Sequence, residues 1–147
     1  MKLHHLVLLL FALAASAAAQ SASPLPAPNP LTASRVFRID EVPARAFPNG
    51  TQSRRIFSGA LASGESVAAH ESTQPAGTTP SPLHVIHHSE FILILEGSVL
   101  FEHDGKSEPA GPGCILYVAL GTLHRLVNAG PGPARYAVIQ IGGDTKL

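Results

Sequence analysis

The chain has 147 residues, of which 45% are hydrophobic, 14% charged and 5% aromatic. Ten basic and ten acidic side chains cancel. That balance excludes the positive excess a nucleic-acid binder or polybasic membrane binder needs, and the hydrophobic content excludes disorder. The single cysteine, Cys114, rules out an internal disulfide and an all-thiolate zinc site.

In chain order, Met1-Lys2-Leu3-His4-His5 precedes an apolar run over residues 6–15, followed by Ser16-Ala17-Ala18-Ala19-Gln20. A short positive start, an apolar stretch and an Ala-x-Ala site describe a secretory signal peptide, residues 1–19, cleaved near Ala19. The run is shorter than the ~20 residues a membrane span needs, and no cysteine follows the cut to carry a lipid. The expected location is periplasmic or secreted, with no membrane attachment after cleavage. Residues 20–33 carry Pro24, Pro26, Pro28 and Pro30 at alternate positions and read as an extended tether. Residues 34–147 remain as one folded domain.

Strand signals fill that domain, at 35–39, 54–61, 66–70, 83–86, 91–95, 99–103, 115–118, 123–128 and 134–141. Turn residues separate them: Asn49-Gly50, Gly64, Gln74-Pro75-Ala76-Gly77, Asp104-Gly105, Gly111-Pro112-Gly113, Gly121 and Gly130-Pro131-Gly132-Pro133. No stretch after the signal keeps a 3.6-residue period over three turns. Short strands with regular turns predict an all-β sandwich or barrel, and Asp104-Gly105 predicts a tight hairpin. Phe91-Ile92-Leu93-Ile94-Leu95 is apolar on both faces, so both should be covered, the outer one by a second sheet or a partner subunit. Homodimerisation is the expectation.

Six histidines follow the signal, and four of them, His84, His87, His88 and His124, stand in suggestive places. Leu83-His84-Val85-Ile86-His87-His88-Ser89-Glu90 puts imidazoles and a carboxylate within one short stretch. Side chains two apart on a strand share a face, which pairs His88 with Glu90, His84 with Ile86, and His124 with Leu126 and Asn128. His70-Glu71, after another strand signal, reads either as a cavity-facing polar group or as a solvated strand end. Glu96 and His103 read as turn and hairpin residues, and Cys114 as a small buried hydrophobe. Tyr117 and Gln140 can line a cavity, but nothing selects them. Phosphate loops, a serine nucleophile elbow, a Cys-x-x-Cys pair and a dinucleotide fingerprint are all missing from the sequence.

His84, then Glu90 with six residues to Gly97, resembles the first motif of the cupins. Gly113-Cys114-Ile115-Leu116-Tyr117-Val118-Ala119-Leu120-Gly121-Thr122-Leu123-His124-Arg125-Leu126-Val127-Asn128 resembles the second, with Ala119 where proline is usual. Fifteen residues, 98–112, separate the two, and the resemblance spans about 65–141. It implies a single antiparallel jelly-roll β-barrel holding one divalent metal on three histidines and a glutamate. Carried over, His84 matches the first histidine, Glu90 the glutamate and His124 the last histidine. Ile86 stands in the place of the second histidine. His87 and His88 lie just beyond it, and strand alternation favours His88, two residues before Glu90. The expected metal set is therefore His84, His88, Glu90 and His124. Should neither nearby histidine reach, two histidines and a carboxylate remain, as in the facial triad of non-haem iron enzymes.

Neutral imidazole and carboxylate suit Fe, Mn, Ni, Co, Cu or Zn, and geometry chooses among them. The implied function is an exported metal-binding protein acting on a small oxygenated molecule by dioxygenase, isomerase or lyase chemistry. The alternative is a non-catalytic module for a small ligand or metal, since fold alone does not choose.

Overall fold

The computed structural model describes residues 29–143 and 145; the signal peptide expected at 1–19 and residues 20–28 of the tether lie outside the described residues. The strands are β1 (Arg45–Ala46), β2 (Gln52–Ala60), β3 (Ser66–Gln74), β4 (His84–Val85), β5 (Ser89–Glu96), β6 (Val99–His103), β7 (Lys106–Ala110), β8 (Ile115–Val118), β9 (Leu123–Asn128) and β10 (Ala134–Ile141). They form two antiparallel sheets, one ordered β1-β2-β3-β10-β5-β8 and the other β4-β9-β6-β7. This is the all-β jelly-roll architecture expected. Both sheets send alternate side chains into one core, including Ile92, Ile94 and Val138 from the larger and Val99, Phe101 and Leu126 from the smaller.

Strand β10 is paired on both edges. Val138 lies opposite Ile92 of β5 and His70 of β3, and Gln140 lies opposite Glu90 and Ala68. Period-2 alternation then sends Tyr136, Val138 and Gln140 inward together. The Asn128 amide ties the sheets at one end, donating to the carbonyls of Gln74 and Gly132 at 2.9 Å each. The expected Asp104-Gly105 hairpin joins β6 to β7 with His103 opposite Lys106. Both turn residues have positive φ, 46° and 73°, as a two-residue primed turn requires. Gly97, at φ 77°, sits where a Cβ would lie 2.8 Å from Ala134 Cα, so the β5–β6 turn has no room for a side chain there.

Three expectations change. Residues 35–39 are not a strand: the segment is irregular and ends in one turn of 3-10 helix at Ile39–Glu41. It packs through side chains, Phe37 on Phe57 at 4.6 Å between rings, rather than through a ladder. The edge of β2 is occupied by β1 at one end, and at the other the Asn29 side chain bonds the Ala60 carbonyl and amide at 2.8 and 3.2 Å. Strand β7 gave no sequence signal because Lys-Ser-Glu-Pro is polar and carries a proline; on an exposed edge both are tolerated. Phe91 and Leu93 are 41% and 39% exposed on the outer face of β5, beside Ile115, Tyr117 and Ile139, so of the two covers expected for them a second sheet is not the one, within the described residues.

Ile94 is 1% exposed and Ile115 is 67% exposed. Ile94→Ala is therefore expected to cost about 2–5 kcal/mol of unfolding free energy in urea titrations, and Ile115→Ala less than about 0.5 kcal/mol. Equal costs would show that the inner face of β5 is not the packed one.

Candidate metal centre

Each candidate donor is placed by strand register. His84 and His124 are directly opposite across β4 and β9, and His103 of β6 lies opposite His124 on its other side. The rings of His84 and His124 are 4.7 Å apart. His124 is 2% exposed, with Nδ1 3.1 Å from the Thr122 carbonyl. A carbonyl only accepts, so Nδ1 carries the proton and the Nε2 lone pair is left for the interior, 3.8 Å from Glu90 Oε2. His84, exposed at the rim, is held alike: its Nδ1 donates to the Pro82 carbonyl at 3.2 Å.

The first-motif stretch turns sharply between β4 and β5. Ile86 is buried at the place of the family's second histidine, His87 is exposed, and His88 is buried again. His88 Nε2 lies 2.9 Å from Glu90 Oε1. The end of β10 presses on this turn: a Cβ at Gly143 would lie 2.7 Å from the His87 carbonyl carbon and 3.0 Å from His88 Cα. Gln140 brings its amide nitrogen to 3.0 Å from His88 Nε2 and 2.9 Å from Glu90 Oε1.

Glu90, His124, His84 and Gln140 line a cavity of about 260 Å³, with Ile86 and His70 on its walls. A larger cavity of about 640 Å³ reaches His70, His88 and Gln140 between Arg45, Phe47 and Arg55. His70 thus points inward, whereas its neighbour Glu71 points to the outer face, buried with Arg54 and Arg135 at 3.6 Å each. Burial is the largest influence on both His70 and His124 and holds their pKa values below the usual histidine range, although the Glu90 charge pulls upward. Tyr136 is pushed up by burial and accepts a hydrogen bond from the Gln74 amide at 2.9 Å.

Two minor expectations fail. Tyr117 does not line a cavity: it is 56% exposed on the outer face of β8, against Phe91. Cys114 is exposed, in the turn that leads into this edge strand. Gln140 is the residue for which the sequence offered no selection. Its signal was a polar side chain at an inward position of β10, which needs the register to be known.

Among the described residues, no group of three or more His, Cys, Asp or Glu side chains converges closely enough to hold a metal on its own. The tightest cluster, His88, Glu90 and Gln140, has an amide as its third member. The donor chemistry nevertheless fits a divalent transition ion: imidazoles and one carboxylate are gathered at one cavity. His84 and His124 also each donate Nδ1–H to a carbonyl, the support that fixes a ligating tautomer.

Residues 69–140 match the family model described as a cupin domain. Among solved structures, the chain resembles the cupin domain of Cnp3 from Schizosaccharomyces pombe (TM-score 0.63, 18% identity, covering 75% of this chain and 74% of that one). It also resembles a predicted oxalate decarboxylase from Thermotoga maritima (TM-score 0.59, 16% identity, 73% and 98% covered). A third likeness is to the polyketide cyclase RemF from Streptomyces resistomycificus (TM-score 0.59, 20% identity, 74% and 80% covered). No curated protein matches the sequence. The chain carries a cupin domain over residues 69–140. At these identities the solved structures establish the fold alone.

The depressed histidines set a pH dependence. In unfolded chain they take up protons near pH 6.5, while in the folded protein they resist until lower pH. Their stabilising contribution is therefore complete above about 6.5 and is lost as pH falls through the folded values. His103, raised by Glu108 and Asp104, has the opposite sign, but its carboxylate partners are exposed and screened. The melting temperature of chelator-treated protein is expected to fall between pH 7 and 5, and to fall less in His70→Gln. An unchanged melting temperature over that range would contradict the burial of these rings.

Proposed function

We propose that this cupin is an exported protein that binds a divalent transition metal through His84, His88, Glu90 and His124 and presents it to a small oxygenated molecule. The observation that carries the proposal is the position of Glu90 between two imidazoles, 2.9 Å from His88 and 3.8 Å from His124, with Glu90 and His124 lining the smaller cavity and His88 the larger. Neutral imidazole donors suit that task, and burial disfavours the charged form of His124. A bound ion supplies Lewis acidity, or activation of water or dioxygen, where it keeps an open position.

The chain's own residues define the rest. The cavity of about 640 Å³ has room for a small molecule, Arg45 and Arg55 stand on its wall, and Phe47 gives it an apolar side. His70 reaches both cavities, and its depressed pKa keeps the ring neutral at pH 7, able to take a proton from a bound molecule. Dioxygenase, isomerase and lyase chemistry all use such an arrangement; the solved structures of this fold include a polyketide cyclase and a predicted oxalate decarboxylase. Ile86 in the place of a histidine favours a second reading, a non-catalytic module that captures the metal or a small ligand.

Metal analysis of untagged protein tests the site. Transition metal present in wild type and lost in His124→Ala is the expected result; metal-free wild type whose melting temperature ignores chelator would end both readings. Oxygen uptake or product formation from small acids and diketones then separates enzyme from binder. The same preparation tests export and pairing. Its first residue is expected to be Gln20, and sedimentation is expected to give a dimer that covers Phe91 and Leu93. A chain beginning at Met1, or a monomer, would remove those parts.

A further inference from the structure

His88 Nε2, Glu90 Oε1 and the Gln140 amide nitrogen form a nearly equilateral triangle with sides of 2.9, 2.9 and 3.0 Å. Hydrogen bonding cannot satisfy all three sides. The Nε2 of a neutral imidazole either gives or takes a single hydrogen bond, yet it has two neighbours in range. If it accepts from the amide, its lone pair faces the carboxylate oxygen. If it donates to the carboxylate, the amide must turn its oxygen inward, and two acceptor oxygens then face each other at 2.9 Å. The amide's orientation follows from the network rather than from the shape of the group, so both choices are open to it.

A cation resolves the conflict, because it takes a lone pair from every corner. Nitrogen and oxygen ligands about 2.1 Å from a first-row ion, at right angles to one another, stand about 3.0 Å apart. The three sides match that spacing. The placement is also built into the fold: Gln140 lies opposite Glu90 in the β10–β5 ladder, so both side chains leave the sheet on one face.

We propose that Gln140 is a metal ligand, its Oε1 turned inward to complete, with His88 Nε2 and Glu90 Oε1, a three-donor face for a divalent transition ion. It adds, from a different strand, a donor beside His88, the residue that stands in for the imidazole Ile86 has replaced. This rests on the metal-binding reading and gives that reading a donor set containing only one formal negative charge.

Cobalt(II) titration of the chelator-treated protein, followed by its d–d absorption and by competition with a chromophoric chelator, tests the assignment. Gln140→Ala is expected to weaken cobalt binding by at least the roughly 10- to 100-fold that loss of a supporting partner costs, and to change the absorption bands. Gln140→Met keeps the volume and gives the same comparison should the alanine variant not fold. Gln140→Glu retains an inward oxygen but no N–H, and is expected to restore wild-type affinity or exceed it. Cobalt binding unchanged in Gln140→Ala would overturn the proposal while leaving the metal site standing. Equal weakening in Gln140→Ala and Gln140→Glu would also overturn it, because the amide would then act as a hydrogen-bond donor. Wild type that binds no cobalt would remove the metal reading and this assignment with it.

Discussion

The double pairing of β10 is the constraint on which the rest depends. Its residues are locked by backbone hydrogen bonds to β3 on one edge and β5 on the other. A one-residue slip of that ladder would send Tyr136, Val138 and Gln140 to the outer face and bring Arg135, Ala137 and Ile139 into the core. The same register sets His70 opposite Val138 and Glu90 opposite Gln140. Core packing and the polar cluster are consequences of one pairing. Substitutions that loosen the Val138–Ile92 contact should therefore disturb the site as well as the stability.

The polar cluster sits in an unusual balance. His88, Glu90 and His124 are 8%, 7% and 2% exposed, and the cavity that Glu90 and His124 line has Ile92, Leu126 and Val138 among its walls. Burying such groups costs free energy unless each finds a partner. Glu90 has His88 and Gln140 on one oxygen and faces His124 from the other. The outer face solves a similar problem differently, with buried Glu71 between two arginines. A core that gathers imidazoles around a carboxylate, where Glu71 has guanidinium groups, keeps lone pairs available instead of saturating them with fixed positive charge.

Much of this was legible in the chain. Strands β6, β8, β9 and β10 lie where strand-forming residues and turn residues place them, because each is a run rich in apolar residues bounded by glycine, proline or Asp-Gly. The second motif's asparagine was readable as a position, though its role, joining the two sheets through Gln74 and Gly132, was not. Strand β7 was hidden because an exposed edge imposes no hydrophobic pattern. The segment 35–39 misled because aromatic and β-branched residues also serve to clamp a loop onto a sheet, as Phe37 does on Phe57.

The donor types and their offsets are local properties, so sequence determined them: His84, Glu90 and His124 stand at cupin spacing, and His88, just before β5, lies two residues from Glu90 within it. Which atoms meet is a property of partners far apart in the chain. His84 opposite His124, Gln140 opposite Glu90, and His70 between two cavities each require two strands in register, and register is set by the whole sheet. Only the tertiary structure could decide that an amide from the last strand completes the cluster, because nothing near Gln140 in the sequence differs from an ordinary polar residue at a strand end.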